Sequence, residues 1–304
     1  MTNRPLQAVP GAAHATAAGC PFALRGLDLH LHSTFSDGLL TPRELCTLAA
    51  REGVSHVALC DHDTVGGLPS MRQAAREQGL TLIPGVEIST GAGGRMHVLC
   101  YGTQVESPEM KAFLACMAQE RVERAERMLE KLEQEGVTVP PPRREALLAM
   151  PSVGRAHIAR ELLAMGVVHT MQQAFDRYLL EGRPAYVPRR QLPTAQAVER
   201  LRRMRALPVL AHPMRAGLEP SALHALIQSL RECGLMGLEV YHPSASVRAA
   251  RELYGLARQQ SLLVTGGSDF HGDPGGTARI GRLPSGWISR ENDLAALQSA
   301  LSNL

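Results

Sequence analysis

The sequence predicts an α/β fold in which helices cover a largely parallel sheet, with a mainly helical insertion in the middle of the chain. From residue 27, short apolar runs alternate with amphipathic helical patterns. The alternation stops near residue 105, where helical periodicity takes over, and it resumes near residue 191. We therefore assign 25–104 and 191–304 to one α/β domain and 105–190 to a helical insertion.

The first strand, 27–31, is apolar and leads to a helix with clear boundary signals. Thr41 and Glu44 form a capping box, and Pro42 takes the first helical position. Gly53 ends the helix. The elements that follow repeat this order: strand 56–60, helix 68–78 and strand 80–86. This β-α-β-α-β succession indicates parallel strands with the helices outside them.

A glycine-rich turn at 91–94 predicts a hairpin with a returning strand at 95–101. The end of one hairpin strand lies beside the start of the next, so Glu87 and His97 are expected at the same end of the sheet. Three helices are predicted for the insertion, at 107–135, 153–164 and 170–180. After it we predict helices at 194–205, 223–233 and 246–259, and strands at 209–211, 237–241 and 262–265.

The composition excludes several classes of protein. Hydrophobic residues make up 44% of the 304 residues and charged residues 20%, as in ordinary globular proteins. The net charge of +3 is too small for a protein that coats nucleic acid, so any anion recognition must be local. No apolar run approaches the ~18 residues of a transmembrane helix. We expect no membrane association, and no obligate protein partner is evident.

The six cysteines show no Cys-x-x-Cys spacing, and several lie in apolar runs as small hydrophobic residues. This usage suits a reducing compartment and predicts a cytoplasmic location. Residues 1–24 are rich in Ala, Gly and Pro and lack the apolar core of a signal peptide. We expect them to form a disordered N-terminal extension.

Histidines and carboxylates recur where the predicted strands end. His30 and His32 lie two residues apart on a strand and share a face, a pairing that suits metal ligation. One buried, hydrogen-bonded histidine beside an exposed one would give the same pattern. Other candidates follow strands or join them through the hairpin: Asp37, His62, Glu87, His97, His212, Asp269 and His271. In barrel-like α/β folds the site lies at that end of the strands.

These nine candidates exceed what one ion takes. With four to six donors per ion and a bridging carboxylate, they would serve two or three divalent cations. Imidazole and carboxylate donors without thiolate favour Mn²⁺, Fe²⁺ or Zn²⁺, of which we expect Mn²⁺. Clustered cations commonly serve phosphate-ester hydrolysis. No Walker-type or Gly-x-Gly-x-x-Gly loop is present, which argues against nucleotide-driven transfer or redox chemistry.

Five motifs, in order, resemble those of the polymerase and histidinol phosphatase (PHP) family of phosphoesterases, over about 26–285. They are Asp28-x-His30-x-His32-Ser33, Asp61-His62-Asp63, Gly85-x-Glu87, Ala211-His212-Pro213 and Gly267-Ser268-Asp269-x-His271. The resemblance implies a distorted (β/α)7 barrel with a site for two or three metal ions.

The resemblance also implies how the ligands divide. The catalytic group, which would hold one ion and activate the attacking hydroxide, consists of His30, His32, Glu87 and Asp269. A second ion would be held by Glu87, His97 and His212, and a third by Asp37, His62 and His271.

Within the family, the insertion is similar to that of 3′,5′-nucleotide bisphosphate phosphatases and related 5′→3′ exoribonucleases. Arg121 and Arg124 lie three apart on one helix face, and Arg155 and His157 stand at a helix start, where backbone N–H groups favour anions. We predict that these four residues bind a second phosphate and that His62 also contacts the substrate. A solvated, salt-bridged helix face would give the same Glu-Arg pattern around Arg121.

The sequence therefore predicts a metal-dependent phosphoesterase that removes phosphate from 3′,5′-bisphosphorylated nucleotides, releases nucleotides from the 5′ end of short RNA, or does both. The alternative enzyme is a histidinol phosphatase, against which the arginine-bearing insertion argues. The alternative of another class is a non-catalytic accessory PHP module, as found fused to DNA polymerases. The intact set of nine ligands argues against that module.

Overall fold

Strands and helices alternate along the computed structural model, which describes residues 26–91, 96–190, 192–272, 277–282 and 291–304. The predicted N-terminal extension, 1–24, and most of the predicted hairpin turn lie outside these residues. The strands are β1 (Leu27–Leu31), β2 (His56–Leu59), β3 (Thr81–Thr90), β4 (Met96–Tyr101), β5 (Leu207–Leu210), β6 (Gly237–Tyr241) and β7 (Leu263–Gly266).

Eight of the ten helices in the described part of the chain correspond to predicted ones, although α6 is shorter than predicted. They are α1 (Pro42–Arg51), α2 (Leu68–Glu77), α3 (Pro108–Gln134), α4 (Pro141–Leu148), α5 (Arg155–Ala164), α6 (Met171–Ala174), α7 (Thr194–Arg203), α8 (Pro220–Glu232), α9 (Val247–Gln259) and α10 (Glu291–Ser302). A π-helical turn, Phe175–Leu179, follows α6. Within the described part of the chain, no helix combines the length and apolar character needed to cross a bilayer.

The strands form a nearly closed barrel in which they follow one another in chain order. Strands β1 to β3 are parallel, β4 runs antiparallel to both of its neighbours, and β5 to β7 are parallel again. The chain after β7 returns to β1, where the His32 N–H donates to the Phe270 carbonyl at 3.1 Å. This confirms the predicted α/β barrel, with β4 as the interruption of its parallel order.

Helix α1 begins at the predicted capping box. The Glu44 N–H donates to Thr41 Oγ1 at 3.3 Å, and the Thr41 N–H donates to Glu44 Oε2 at 2.8 Å. Such a cap stabilises a helix by about 1 kcal/mol. Leu45 and Ala49 are fully buried in the barrel cluster, so the cap and the apolar face together fix where the β1–α1 loop ends.

Strand β3 is longer than predicted, so Glu87 lies within it rather than after it. The β-branched residues Ile88 and Thr90 favour the extension into the hairpin, where Ser89 pairs with His97. The predicted proximity is confirmed, because His97 Nδ1 lies 2.7 Å from Glu87 Oε1.

Helix α3 contributes to two separate hydrophobic clusters. Its first half packs Met110 and Phe113 into the barrel cluster. Its second half packs Met128 and Leu132 into a cluster built from the helices that follow. Because one continuous helix enters both cores, the helical layer is held in a defined position over the barrel.

Helices α4 and α10 are absent from the sequence-based prediction. Pro140-Pro141-Pro142 disfavours a helix interior, but prolines are tolerated in a first turn, and α4 begins at Pro141.

Candidate metal centre

The structure brings all nine predicted ligands together at one edge of the barrel, the edge at which the parallel strands have their carboxyl ends. Each ligand has a nitrogen or oxygen within 4.0 Å of another ligand's carboxylate or imidazole. The members are His30, His32, Asp37, His62, Glu87, His97, His212, Asp269 and His271.

The first predicted group surrounds a point to which four side chains aim. His30 Nε2 and His32 Nε2 lie 3.5 and 3.2 Å from Asp269 Oδ1. The same nitrogens lie 3.5 and 3.3 Å from Glu87 Oε2. Both nitrogens and Glu87 Oε2 are buried without a hydrogen-bond partner. Buried polar atoms are rarely left unpaired, and three that can each donate a lone pair to one point fit a cation.

Glu87 faces the second predicted group with its other oxygen. Oε1 lies 2.7 Å from His97 Nδ1 and 3.0 Å from His212 Nε2. A carboxylate whose two oxygens face separate sets of imidazoles is suited to bridge two ions.

The third predicted group lies on the side of the insertion. Asp37 Oδ1 is 3.1 Å from His271 Nε2, and Asp37 Oδ2 is 3.8 Å from His62 Nε2. His32 joins them, and one ligand atom from each of the four lies within 4.8 Å of the others. Asp37 Oδ1 and His62 Nδ1 are also buried without a hydrogen-bond partner. The donor set could therefore bind more than one divalent cation, while the choice of Mn²⁺ stays a prediction.

At neutral pH the metal-free cluster combines ionised carboxylates with both neutral and protonated imidazoles. Burial opposes ionisation of Glu87, but His97 and other histidines outweigh it and hold the pKa of this carboxyl well below its usual range. The pKa of Asp269 is low for the same reason, with His30 as the main partner. Burial lowers the pKa of His62 to about 4, against the attraction of Glu87. The carboxylates are thus ionised and His62 is neutral, the states in which these groups bind metal.

Burial lowers the pKa values of His30 and His32, but the neighbouring carboxylates outweigh it and raise the pKa of His30 well above its usual range and that of His32 to about 10. These two imidazoles therefore hold protons in the metal-free cluster, and a bound cation would displace these protons.

Glu239 supports the cluster, and the sequence analysis missed it. This buried carboxylate accepts a hydrogen bond from His30 Nδ1 at 2.9 Å and another from the His212 backbone N–H at 2.7 Å. Such partners fix the tautomer and orientation of a ligating imidazole. The available signal was a lone acidic residue in the middle of an apolar strand, β6.

Two aspartates of the sequence motifs secure the loops. Asp61 accepts from the backbone N–H and the hydroxyl of Ser33, at 2.7 Å each. Asp28 accepts from the N–H groups of Ser268 and Gly281, at 2.9 Å each. They tie the end of β1 to β2 and the chain after β7 to β1, so the motifs contain both ligands and their supports.

Asp269 is held by partners that the sequence did not reveal. Its Oδ2 atom accepts from Arg215 Nη1 at 2.7 Å and lies 3.3 Å from His242 Nε2, which leaves Oδ1 facing the other ligands. Asp269 and His212 have φ values of 51° and 26°. Such values are uncommon for residues other than glycine and often occur at functional sites.

The insertion places a row of arginines opposite the ligands, across a cavity of about 180 Å³. Metal-group residues on one side of this cavity include Asp37, His62 and His97. The insertion side consists mainly of Arg121, Arg124, Arg155, His157 and Arg189. All five predicted substrate residues therefore line one cavity, and Arg189, which was not among the predicted residues, joins them.

Arg121 is engaged in protein contacts on every side. Its Nε and Nη2 atoms donate to Asp63 Oδ2 at 2.8 and 2.6 Å, and Nη2 also donates to Ser89 Oγ at 3.1 Å. Nη1 donates to the Val153 carbonyl at 3.2 Å. Arg121 is only 9% exposed, so a solvated helix face is excluded for it. It connects the ends of β2 and β3 to the insertion.

Arg124 is equally buried but keeps part of its guanidinium available. Nε donates to the Val187 carbonyl at 2.8 Å, and no carboxylate among the described residues lies within ion-pair distance. Burial, then the charges of Arg155 and Arg121, lower the pKa of Arg124 to about 10. A guanidinium in this setting favours an anion in the cavity.

His157 has both ring nitrogens occupied. Nδ1 accepts from the Gly154 N–H at 3.1 Å, and Nε2 donates to the Ser36 carbonyl at 2.7 Å. The guanidinium of Arg160 donates to the carbonyl of Asp37, the next residue of the same loop. Contact between His157 and substrate stays a prediction, and the structure gives this residue a positioning role on the loop that carries Asp37.

Comparison with known proteins agrees with this geometry. The PHP domain family model matches residues 28–182. The chain is 35% identical over 275 residues to a 5′-3′ exoribonuclease of Haemophilus influenzae, which covers 90% of this chain and 96% of the relative. It is 32% identical over 260 residues to a 3′,5′-nucleoside bisphosphate phosphatase of Chromobacterium violaceum, covering 85% and 91%.

A solved structure supports the fold. A protein of Bifidobacterium adolescentis described as a metal-dependent phosphoesterase superposes with a TM-score of 0.79 at 29% identity. The match covers 92% of this chain and 97% of that chain. The barrel and the helical layer over it therefore both have a counterpart.

Proposed function

This chain belongs to the PHP family of metal-dependent phosphoesterases, and we propose that it hydrolyses the phosphate ester at O3′ of a nucleotide that also carries a 5′-phosphate. The nucleotide is either a free 3′,5′-bisphosphate or the first residue of a short RNA. The observation that carries the proposal is the single cavity lined by metal-group residues on one side and arginines on the other.

The reacting phosphate would lie at the metal centre. Divalent cations, when bound, supply an activated water and neutralise negative charge on the phosphoryl oxygens. The residues that would hold them are the three groups described above, with Glu87 shared by two. Around these groups Glu239 fixes the orientation of the His30 imidazole, and Arg215 fixes that of the Asp269 carboxylate, through the contacts already given.

The 5′-phosphate would lie against the insertion. Arg124 has its Nη atoms available, and Arg155 lies 5.9 Å from the centre of the Phe175 ring, which orients its guanidinium beside the cavity. Burial and the charge of Arg121 lower the pKa of Arg189 to about 9 despite Asp63. A doubly charged phosphate would relieve the repulsion among these guanidinium groups.

One reaction serves both substrates. Water adds its oxygen to phosphorus, the P–O3′ bond breaks, and O3′ leaves with a proton. A terminal 3′-phosphate departs as orthophosphate, whereas a phosphodiester departs as the 5′-phosphate of the remaining RNA. Both products need the same pair of subsites, one for the 5′-phosphate and one for the phosphorus attached to O3′.

Histidinol phosphate fits the cavity less well. It carries an ammonium group and one phosphate, so after the phosphate has reached the metal centre its cationic end would face the arginines.

The first test is phosphate release from adenosine 3′,5′-bisphosphate by Mn²⁺-loaded protein, with histidinol phosphate and a 5′-phosphorylated short RNA assayed in parallel. We expect turnover of the bisphosphate, the RNA or both, and loss of turnover in Asp269→Asn. Turnover of histidinol phosphate alone would contradict the proposed substrate.

The second test separates the two subsites. Because Arg124 faces the 5′-phosphate, Arg124→Lys should raise KM for adenosine 3′,5′-bisphosphate by about 10-fold or more, as expected for a charged hydrogen bond. KM for adenosine 3′-monophosphate should change little. The matched control is Arg248→Lys, an exposed arginine paired with Glu252 on α9. Equal increases for both nucleotides would refute the assignment of Arg124.

A further inference from the structure

The arginines that line the cavity of the metal centre also border a second cavity on their other side. Ser89, Arg121, Arg124 and Arg189 line the cavity of the metal centre and also a second cavity of about 370 Å³. This second cavity lies between α3 and the segment around 189–192, and none of the nine metal-group residues lines it. The shared arginines therefore form a wall between two chambers.

The second cavity carries excess positive charge. Six arginines line it: Arg121, Arg124, Arg127, Arg189, Arg190 and Arg200. Its acidic residues are Asp63, Glu120 and Glu123. Asp63 is occupied by Arg121, and Arg190 lies 3.4 Å from Glu120.

Three of the six arginines lack a compensating carboxylate. Arg124, Arg127 and Arg200 have none within ion-pair distance in the part of the chain that the structure describes. Arg127 instead donates through Nε to the Glu123 backbone carbonyl at 3.2 Å, which directs its guanidinium along α3. Three such groups around one cavity favour an anion.

The arginines at the rim of the second cavity are more exposed than those in the wall that it shares with the first. Arg127, Arg190 and Arg200 are exposed, whereas Arg124 is buried and the Arg189 side chain is 16% exposed. Exposed cations attract an anion from solution, and desolvated ones bind it more strongly.

The apolar part of the lining favours phosphate over a base. Phe113 is buried beneath Arg200, whose guanidinium carbon lies 4.3 Å from the ring centre. The ring face is therefore already occupied, and the surface presented at this point is cationic. A nucleobase would need the aromatic face that Arg200 covers.

We propose that the second cavity is a subsite for a further phosphate group, located on the 5′ side of the phosphate that Arg124 binds. This rests on the proposed function, which places the 5′-phosphate of the reacting nucleotide at the shared wall. Two sources have this chemistry: the outer phosphates of a 5′-triphosphorylated RNA, and the 5′-phosphate of a nucleotide that precedes the reacting one.

The binding test uses metal-free protein and inorganic tripolyphosphate, so that no cation can bind the probe and no turnover is required. The double variant Arg127→Ala, Arg200→Ala removes two exposed arginines that line only the second cavity. By calorimetry we expect tripolyphosphate to bind at least about 10-fold more weakly to this variant, from the loss of charged hydrogen bonds. The control is Arg248→Ala, which should bind like the parent.

The kinetic test identifies the source of the phosphate. The double variant should retain its KM for adenosine 3′,5′-bisphosphate. A KM increase confined to 5′-triphosphorylated RNA would identify the polyphosphate, and one confined to a dinucleotide phosphorylated at both its 5′ and 3′ ends would identify the phosphate of a preceding nucleotide. Either result supports the subsite. Equal tripolyphosphate binding by parent and double variant would overturn it. If none of these substrates is hydrolysed, the proposed function fails, and the calorimetry still decides whether the second cavity binds phosphate.

Discussion

The two sides of the cavity satisfy their polar groups in different ways. On the barrel side, five buried atoms of ligand side chains have no hydrogen-bond partner. On the insertion side, Arg121 and His157 have every polar side-chain contact provided by protein. The barrel side thus needs a cation from solution, whereas part of the insertion side is already complete.

This difference gives distinct contacts to residues that have similar positions in the sequence. Arg121 and Arg124 occupy one helix face three residues apart and are both 9% exposed. Arg121 joins the insertion to the barrel through Asp63, while Arg124 faces the cavity without a carboxylate among the described residues. The same three-residue spacing therefore contains one arginine that connects the insertion to the barrel and one whose guanidinium faces the cavity.

The largest effect is expected from Glu87→Gln, which tests the central claim for the barrel side. Glu87 contacts imidazoles of two groups through separate oxygens, so an amide would weaken both sets of ligands at once. We expect phosphatase activity to fall by about 1000-fold or more, with fewer divalent ions per chain. Activity assays and metal analysis by mass spectrometry check this. A variant with full metal content and activity would remove Glu87 from the centre of the site.

Glu239→Gln makes the same chemical change in a residue that supports the ligands. It should reduce metal affinity and activity less than Glu87→Gln does. It weakens the contacts to His30 Nδ1 and to the His212 N–H without removing a predicted ligand. We expect metal affinity or activity to fall by about 10- to 100-fold, the usual range for such supporting groups. Metal titration of both Glu→Gln variants provides the comparison. A loss as large as that of Glu87→Gln would mean that Glu239 itself binds an ion.

His157→Ala tests whether His157 positions the loop that carries Asp37 or binds phosphate directly. The change leaves the Ser36 carbonyl without its partner, so the free energy of unfolding should fall by about 1–3 kcal/mol. Because the contact is with the loop, KM should rise by a similar factor, up to about 10-fold, for adenosine 3′-monophosphate and the 3′,5′-bisphosphate. His169→Ala, at an exposed histidine of the same layer, is the control. A KM increase for the bisphosphate alone would show direct phosphate binding by His157.

The smallest effect is expected for Asp63, whose ionised side chain should raise the free energy of unfolding except at acid pH. Burial opposes its ionisation, but Arg121 and then Arg189 lower the pKa of Asp63 to about 2. A folded-state pKa below the unfolded value of about 3.9 stabilises the protein above pH 4, by on the order of 2 kcal/mol. That contribution is lost as the pH falls from about 4 to 2.

Urea unfolding of the parent and Asp63→Asn checks this prediction. The difference in unfolding free energy between the two proteins should be constant from pH 7 to about 5 and should shrink as the pH is lowered further. A difference that stays constant to the acid limit of folding would show that the charge of Asp63 is not what holds Arg121.

The resemblance to the PHP family implied the barrel, whereas the residue pattern alone predicted the α/β fold and the nine residues that gather at its edge. Both predictions rest on short-range regularities, because side chains two apart on a strand share a face and parallel strands place their carboxyl ends together. The capping box at Thr41 and Glu44 is local in the same sense, and it appears where predicted. The boundaries of β3 and the presence of α4 were less accessible, because a neighbouring strand and a packed layer decide them.

Only the tertiary structure assigned roles within these sets. Glu239 lies 209 residues from its partner His30, and Asp63 lies 58 residues from Arg121. Spacing along the chain cannot show which arginine meets a carboxylate and which faces a cavity, because desolvation and pairing depend on what other elements bring alongside. Spacing along the chain also cannot reveal the second cavity, because its six arginines come from α3, from α7 and from the segment that precedes α7. Local spacing therefore determined which chemistry is present, and long-range packing decided which side chains remain free to perform it.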